Sequence, residues 1–503
     1  MPNAGSLGWF LPELTLTGTI LAVIVVDLLG TPRGRPATEW PGTLALVGTA
    51  AALLLTIGFR PFGIDGLLAA PTPGWLFGRM LVLDGFSVFF KLLLGLALLA
   101  VIWMSHASRE VRGRPNEGEY YTLLVSSGLG TLLMASAGNL LMAYLSLEFV
   151  SLTSYVLTGH LRHNRRSGEA ALKYLIYGGV ASGAMIYGMS WLFGLTGAMD
   201  YAGIAAGLAK LDAGSRGALF VALVLVLAGF GYKTSLVPVH MWAPAVYTGA
   251  PLPVTTFLAV GSKAAGFAML LRFFAFGVTP EGPAATVTSI PLPQLLAVAS
   301  VATMTLGNLA ALQQTNMKRL LAYSSIAHAG YALLGLVVFR QDGLDAVLLY
   351  LATYYLMNLG AFVVVMLVAM QTGREDLEGY RGLAWRGGAL PAVTLSIFLF
   401  SLAGLPPLAG FLGKFYVFAA GIQGHIYVPV VIAVLNSVVS LYYYARVVKV
   451  MIFDQPAADA ARVAFRPVDL GVVSALSLAT TFLVVQFGWL LRTVAEAGRV
   501  FRG

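Results

Sequence analysis

The amino-acid sequence predicts an all-α protein that crosses a membrane many times. Of its 503 residues, 58% are hydrophobic and only 11% are charged, whereas soluble domains carry about 25% charged residues. The mean hydropathy of +0.82 agrees with this composition. Apolar runs of about 20 residues, the length that a membrane helix needs, recur along the chain. These three observations predict a single polytopic membrane domain over residues 1–503.

We predict about fourteen membrane spans, numbered here in chain order. The first apolar run has neither a basic segment before it nor a small-residue cleavage site, so we expect a retained helix rather than a signal peptide. The spans are expected at 8–30, 41–59, 80–105, 119–137, 139–160, 168–196, 216–247, 250–274, 289–312, 318–339, 343–370, 388–420, 426–452 and 468–492.

The seventh span is predicted to be interrupted. The stretch AGFGYKTSLVPVHMWAPAVYTGAPLP, residues 228–253, places Pro238 and Pro244 beside Lys233 and His240. Proline removes a backbone donor and kinks or ends a helix. Unwound backbone within a membrane is tolerated where protein buries it or where it lines a watery cavity. The alternative, a helix that ends at the prolines with Lys233 near the headgroups, fits less well because another apolar run follows at once.

The twelfth span contains a second interruption with the same ingredients. Ser401–Tyr416, SLAGLPPLAGFLGKFY, combines glycines, the pair Pro406 and Pro407, and Lys414. The two interruptions are five spans apart, and an odd number of spans gives two copies of a repeat opposite orientations in the membrane. Transporters with such inverted repeats have their site between the repeats.

The spacing of ionisable residues agrees with such a repeat. Glu148 precedes Lys233 by about 85 residues, and His328 precedes Lys414 by about 86. We therefore expect two inverted five-helix repeats with broken helices 7 and 12. The predicted divisions are 1–118 for spans 1–3, 119–274 for spans 4–8, 289–452 for spans 9–13 and 468–492 for span 14.

The distribution of lysine and arginine predicts the orientation. Loops that follow odd-numbered spans hold about fifteen basic residues, and loops that follow even-numbered spans hold about six. Because basic residues concentrate in cytoplasmic loops, we expect both termini on the periplasmic side of a bacterial inner membrane. The same rule explains the net charge of +9 without a nucleic-acid partner.

Ionisable residues lie well inside several spans. Charges at that depth are costly, so they face the bundle interior, pair with one another and indicate function. The alternatives are side chains that reach a helix end, most plausibly Lys173, or ion pairs that only order helices. For Lys91 the sequence leaves structural and functional roles equally open. The candidate proton-transfer residues are Glu148, Lys173, Lys233, His240, Lys263, His328 and Lys414.

These residue types suit proton transfer. A carboxylate beside a lysine stabilises the charged forms of both, so separating such a pair favours release of the lysine proton to the next acceptor. Polar residues near the candidates either hold water or make ordinary hydrogen bonds between helices. They are Asn139, Tyr323, Ser324 and Ser325.

Several function classes are excluded. The chain has no cysteine, which excludes disulfides, thiolate-bound iron–sulfur clusters and a cysteine nucleophile. We find no dinucleotide, Walker or HExxH motif, and the six histidines have no metal-ligand spacing. We expect no cofactor in this chain.

Several of these motifs resemble a known family. GYKTSLVPVHMWAPAVYTGAP, NMKRLLAYSSIAHAGY and GLPPLAGFLGKF resemble the antiporter-like membrane subunits of respiratory complex I and their relatives in Mrp-type cation/proton antiporters and membrane-bound hydrogenases. LEGYRGLAWR, GKFYVF and NSVVSLYYYARVVKVMIFD resemble the subunit N branch of that family. The resemblance covers essentially the whole chain.

The resemblance implies a proton-translocating subunit of NADH:quinone oxidoreductase and a role for each candidate. Glu148 and Lys173 would form the modulating ion pair of the first half-channel, with Lys233 as its proton-accepting lysine. Lys263, His240 and His328 would lie on a central hydrophilic axis, and Lys414 would serve the exit half-channel. His328 stands where the family often has lysine.

The resemblance also implies partners. FMN, iron–sulfur clusters and quinone belong in this interpretation to other subunits, and the neighbours in the membrane are subunits M-like and K-like, with lipid around them. Two alternatives stay open. One is a subunit of an Mrp-type antiporter or membrane-bound hydrogenase, and the other is a membrane scaffold whose buried charges only hold helices together.

Overall fold

The computed structural model describes residues 4–30, 39–58, 74–277, 290–456 and 460–498. Eleven helices in these ranges are long and apolar enough to cross a membrane, and one shorter apolar helix accompanies them. A helix occurs at each predicted span, so the helical membrane fold is confirmed. The count of fourteen is not, because the helices at spans 4, 6 and 12 are outside those eleven.

The N-terminal part contains three long helices and a short β-hairpin. Its strands pair antiparallel, with Gly74 opposite Leu83. The hairpin replaces the loop and the start of the third span that are predicted from the sequence at these residues. The elements are α1 (Ala4–Trp9), α2 (Leu11–Gly30), α3 (Trp40–Ile57), β1 (Gly74–Leu76), β2 (Leu81–Leu83) and α4 (Gly85–Ala107).

The next part corresponds to spans 4–8. A turn of 3₁₀ helix, Ala213–Ser215, and a turn of π helix, Leu258–Ser262, connect some of its helices. The helices are α5 (Glu117–Ser136), α6 (Leu140–Thr158), α7 (Arg165–Thr196), α8 (Tyr201–Leu208), α9 (Arg216–Thr234), α10 (Trp242–Gly249), α11 (Leu252–Phe257) and α12 (Lys263–Gly277).

The last part corresponds to spans 9–14. Span 14 is divided at Gln486 into two helices. A 3₁₀ turn, Leu383–Arg386, precedes α17. The helices are α13 (Leu292–Leu312), α14 (Met317–Val337), α15 (Gln341–Thr372), α16 (Leu377–Tyr380), α17 (Ala389–Ala403), α18 (Ala409–Gln423), α19 (Tyr427–Ile452), α20 (Pro467–Val485) and α21 (Phe487–Gly498).

The two parts that follow α4 share local features. Asn139, before α6, makes an isolated bridge with Asp200, and Asn316, before α14, makes the same bridge with Asp376. Both aspartates then cap the next short helix. The helices α7 and α15 each have 32 residues and end at a glycine of positive φ.

The two bridges lie at opposite ends of the bundle. Asp200 pairs with Arg79, which precedes α4, at 3.3 Å between Oδ1 and Nη1. Asn316 and Asp376 line an open cavity together with Glu110, which follows α4. Since α4 has 23 residues, its ends are about 35 Å apart.

Three long helical segments form the centre of the bundle. In the most apolar 18-residue stretch of each segment, all residues of Leu252–Ala275 are buried, and 94% are buried in Met317–Val337 and in Gln341–Thr372. By contrast, the corresponding stretches of Leu11–Leu29 and Pro467–Val485 are buried to 28% and 22%. Outward-facing leucine and valine on such outer helices suit a lipid environment. The central segments therefore provide the interior where charged groups can be enclosed.

Two buried ion pairs fasten the N-terminal helices. Asp84 caps α4 and binds Arg272 of α12 through both oxygens, at 2.7 and 2.9 Å. Lys91 of α4 binds Glu13 of α2 at 2.7 Å, and both side chains are almost completely buried. From the sequence alone, the role of Lys91 stays open. Arg272 and Lys91 both join helices within the bundle.

The contact of Lys91 predicts a structural role. We expect Glu13→Ala to destabilise the protein by about 3–5 kcal/mol, because it leaves a buried ammonium without its partner. The double variant Glu13→Gln/Lys91→Met removes both charges and should recover most of that loss. The measurement is the thermal midpoint of the purified protein. A double variant as unstable as Glu13→Ala would contradict this explanation.

Candidate functional site

The first interruption separates α9 from α10, and its freed backbone groups are bonded. The carbonyl of Tyr232 accepts a hydrogen bond from Nε1 of Trp242 at 2.9 Å. The amide of Val237 donates to Oγ1 of Thr303 at 3.0 Å. Ser235, with φ of 61°, reverses the chain at the end of α9. Because buried backbone groups need partners, these contacts allow the helix to stop inside the bundle.

Lys233 lies in the last turn of α9, and its side chain is completely buried. Its Nζ donates to Oγ of Ser151 on α6 at 3.2 Å. Glu148 lies one turn before Ser151 on the same face of α6. One carboxylate oxygen of Glu148 is buried without a hydrogen-bond partner among the described residues. Lys233 and Glu148 thus face the same interior region, but they do not form an ion pair within 4 Å.

The side chain of Lys233 also packs against α12. A methyl group added at Gly266 would lie 3.2 Å from its Cγ. Gly266 is one turn after Lys263 on α12. The close approach at this glycine brings the end of the interrupted helix next to the segment that carries the second lysine.

Lys263 follows the turn of π helix and is buried. Its Nζ donates to Oγ of Ser325 on α14 at 2.5 Å. Ser325 in turn accepts a hydrogen bond from the hydroxyl of Tyr354 on α15 at 2.7 Å. Nζ also lies 5.8 Å from the centre of the Tyr247 ring on α10. Turns of π helix are common at functional sites, and here one carries the lysine into the contact between the two parts.

His328 lies almost one turn further along α14. Its Nδ1 is 2.6 Å from the hydroxyl of Tyr350, and its Nε2 is 3.3 Å from the hydroxyl of Tyr444 on α19. The Tyr444 hydroxyl also bonds to Ser324. Both ring nitrogens therefore contact hydroxyl groups, each of which can donate or accept a proton.

A small cavity joins the surroundings of Lys263 to those of His328. Both residues line it, as do Ser325, Tyr350 and Tyr354. Its volume of about 10 Å³ is close to the least that one water molecule requires. The cavity lies between the lysine and the histidine, and it is the space through which a water would connect them.

Lys414 follows the second interruption, between α17 and α18. Its Nζ donates to the carbonyl of Ala403 at 2.9 Å and to Oγ of Ser437 on α19 at 2.8 Å. It also lies 4.7 Å from the centre of the Tyr331 ring. Tyr331 is on α14, one turn after His328, so α14 connects the histidine with this lysine.

The break itself is built around a glycine. Gly404 ends α17 with φ of +89°, and a methyl group there would lie 2.9 Å from Cδ of Lys414. Glycine adopts such a backbone without strain. The lysine stem fills the space that a side chain at Gly404 would need.

Lys173 is half exposed at the edge of the bundle, whereas His240 is only 7% exposed. Nζ of Lys173 binds Oε1 of Glu169 on α7 at 2.5 Å, and both side chains are about half exposed. Lys173 and His240 line one open cavity of about 440 Å³. The structure therefore brings these two residues together, but it pairs Lys173 with Glu169 and not with Glu148.

Several partners in the site were not singled out from the sequence. They are Ser151, Tyr350, Tyr354, Ser437 and Tyr444. Hydroxyl side chains inside apolar runs were the available signal, but such residues are common in membrane helices. Of the polar residues considered, Ser325 and Ser324 belong to the site, whereas Asn139 caps α6.

The described residues contain no group of three or more side chains placed to hold a metal ion. The site is instead a row of buried amines, an imidazole and hydroxyls that runs from α6 through α12 and α14 to α18. Groups that exchange protons, placed in a low-dielectric interior next to broken helices, can pass protons along such a row.

Fold and site together define an antiporter-like membrane protein. Residues 137–440 match the family described as NADH:quinone oxidoreductase/Mrp antiporter, TM. The chain is 44% identical to NADH-quinone oxidoreductase subunit N of Anaeromyxobacter sp. (strain Fw109-5), over 100% of this chain and 98% of that one. The chain therefore belongs to the subunit N branch of the antiporter-like membrane subunits of NADH:quinone oxidoreductase.

Solved structures agree with this assignment. A chain of respiratory complex I from Thermus thermophilus matches 96% of this chain with a TM-score of 0.79 and 33% identity, and 99% of that chain is covered. A chain of the Mrp complex from Dietzia sp. matches 97% of this chain, and 96% of its own length is covered, with a TM-score of 0.81. Because the two chains are only 21% identical, this match shows a shared fold and no more.

Proposed function

We propose that this chain is a proton-translocating membrane subunit of NADH:quinone oxidoreductase. It acts within an enzyme complex and carries protons while other subunits transfer electrons from NADH to quinone. The observation that carries the proposal is the buried row from Lys233 through Lys263 and His328 to Lys414, which joins the two interrupted helices.

In this proposal each residue of the row holds a proton in turn. Lys233 accepts a proton in the first half-channel, Lys263 and His328 pass it along the centre, and Lys414 serves the exit. Hydroxyl partners such as Ser325 orient the groups, and water in the small cavity completes the connection between Lys263 and His328.

Glu148 and Lys173 are proposed to modulate this path. Lys173 holds Glu169 in this structure, and the two residues are on one helix and half exposed. An exposed pair of this kind contributes little stability. Lys173 can therefore leave Glu169 and pair with Glu148 instead. This change of partner alters the charge that acts on Lys233. His240, beside Lys173 in the open cavity, is proposed to exchange protons with the solvent there.

We also propose that residues 119–274 and 289–452 are inverted repeats. The matching bridges at Asn139 and Asn316, at opposite ends of the bundle, support this division. Residues 1–118 and 468–492 flank the repeats. Inverted repeats place the proton path at their interface, where α12 and α14 meet.

The proposal includes the surroundings of the chain. Relatives of this chain are subunits of complex I, so other subunits of that complex are its partners, and the bacterial inner membrane is its location. The finer proposals are that subunits M-like and K-like are its neighbours and that both termini are periplasmic. FMN, iron–sulfur clusters and quinone are assigned to partner subunits, and no cofactor is assigned to this chain.

Affinity purification in mild detergent through a tag on this chain tests the proposal. We expect NADH-oxidising activity and the absorption of flavin and iron–sulfur centres to co-purify with the chain. Purification of small membrane subunits without redox centres would favour an Mrp-type antiporter or a similar complex. In that event the residues of the row would be tested for sodium transport as well as for proton transport.

A further inference from the structure

Lys318 is a buried lysine outside the row described above. It lies in the first turn of α14 and is only 2% exposed. Its Nζ donates to the carbonyl of Ala250 at 2.9 Å and binds Oε1 of Glu375 at 3.1 Å. Ala250 follows α10 in the first repeat, whereas Glu375 follows α15 in the second. Lys318 thus joins the proposed repeats at one end of the bundle.

The lysine is not required by the local structure in which it lies. The bridge between Asn316 and Asp376 has a counterpart between Asn139 and Asp200. In that counterpart the position of Lys318 is occupied by Leu141, and the position of Glu375 by Met199. Leu141 and Met199 are 45% and 44% exposed. A bridge of this kind therefore forms without an ion pair, so the ion pair between Lys318 and Glu375 is not needed to form the bridge.

The carbonyl that Lys318 binds lies at the end of α10. Carbonyl groups at a helix C-terminus lack partners within the helix and favour a cation nearby. The other end of α10 is held by Trp242, whose Nε1 binds the carbonyl of Tyr232, next to Lys233. This helix of eight residues is therefore fastened at one end beside Lys233 and at the other by Lys318.

The same helix contacts the centre of the row. The ring of Tyr247 on α10 lies 5.8 Å from Nζ of Lys263. On α14, Ser325 is seven residues after Lys318, two turns along the same face. Ser325 is the hydrogen-bond partner of Lys263. Lys318 therefore holds α10 and α14 together directly beneath the contact between Lys263 and Ser325.

An open cavity reaches the ion pair between Lys318 and Glu375. Lys318, Glu375 and Ala250 line an open cavity of about 440 Å³. Glu375 is 30% exposed, whereas Lys318 is buried, so the pair lies between the cavity and the interior. Loss of the lysine would separate the end of α10 from α14 at this boundary.

We infer that Lys318 is a positioning residue for proton translocation: it fixes the end of the first interrupted helix to α14, so that the two half-channels stay aligned and the open cavity stays separate from Lys263. This inference rests on the proposed function. It assigns Lys318 to the coupling of the repeats, because its partners belong to different repeats and its side chain is not part of the row.

The test uses the intact complex in sealed inverted membrane vesicles. Lys318→Leu introduces the residue that the first repeat has at this position, and Lys318→Met keeps a long unbranched side chain. We expect both complexes to assemble and to oxidise NADH, but to move fewer protons for each NADH oxidised. Lys318→Arg should restore proton movement, because its guanidinium can bind both Ala250 and Glu375.

Two reference variants separate the possible outcomes. Arg162→Gln removes a cation whose pair with Glu119 is exposed on both sides, and it should move as many protons as the unchanged complex. Lys233→Ala, in the proposed row, should lose proton movement. If Lys233→Ala has this effect but both Lys318 variants pump fully, the role of Lys318 is overturned and the proposed function stands.

The remaining results are equally decisive. Full pumping in Lys233→Ala as well would overturn the proposed function itself. Failure of both Lys318→Leu and Lys318→Met to accumulate would show that the lysine is needed for folding, which also overturns the inference. A loss of pumping that Lys318→Arg does not restore would contradict the assignment of the two hydrogen bonds as its cause.

Discussion

Lys233→Ala is expected to abolish proton transfer through this chain while the complex still assembles. Lys233 is completely buried and donates to Ser151. A positioned proton-transfer group contributes about 100-fold or more to the rate, so proton transfer should fall by about that factor. The measurement is dye-detected proton uptake by vesicles that oxidise NADH.

Lys233→Arg provides the sharper comparison. Arginine keeps a positive charge and a long side chain, but it does not release its proton in proteins. We therefore expect Lys233→Arg to assemble like the unchanged chain and to lose proton transfer like Lys233→Ala. Lys449→Ala, at a side chain that is 71% exposed, is the control and should pump normally. Normal pumping by Lys233→Arg would show that Lys233 supplies charge and not a proton.

Gly410→Ala is expected to disrupt the second interrupted helix. A methyl group at Gly410 would lie 1.8 Å from the carbonyl oxygen of Ser401 and 2.7 Å from Sδ of Met357. The first of these contacts is with backbone, so a change of rotamer cannot relieve it. We expect a loss of at least about 3 kcal/mol of stability, at the upper end of what overpacking costs.

The consequence should extend to Lys414. To relieve the contact, α18 must move away from the end of α17, where Ala403 accepts the hydrogen bond of Lys414. Both the thermal midpoint of the complex and its proton movement should therefore fall. Gly183→Ala is the matched control, because a methyl group there meets nothing within 4 Å. In a helix it should leave stability unchanged or raise it by about 0.5–1 kcal/mol. Equal midpoints for the two variants would contradict the prediction.

The buried charges show why the row differs from an ordinary set of helix contacts. Arg272 and Asp84 neutralise each other through two hydrogen bonds. Lys91 and Glu13 neutralise each other in an ion pair. The lysines of the row have only neutral partners, hydroxyl and carbonyl groups, within hydrogen-bond distance. Enclosed amines without a carboxylate in contact are costly as cations. That cost favours the loss of a proton, which a carrier requires.

The sequence by itself determined the membrane class, the positions of the helices and both interruptions. Long apolar runs allow few other structures in a bilayer, and a proline in the interior of such a run interrupts the helix because it removes a backbone donor. The residues Lys233, Lys263, His328 and Lys414 were also identifiable, because a charge inside an apolar run is visible without coordinates.

Only the tertiary structure decided which side chains meet. It paired Lys173 with Glu169, gave Lys91 a partner in Glu13 and enclosed Lys318 between the ends of α10 and α15. These contacts depend on how helices distant in the sequence rotate and approach each other. Helical periodicity places residues on a face of their own helix, but the partner on another helix follows from packing, for which a run of apolar residues carries no unique pattern.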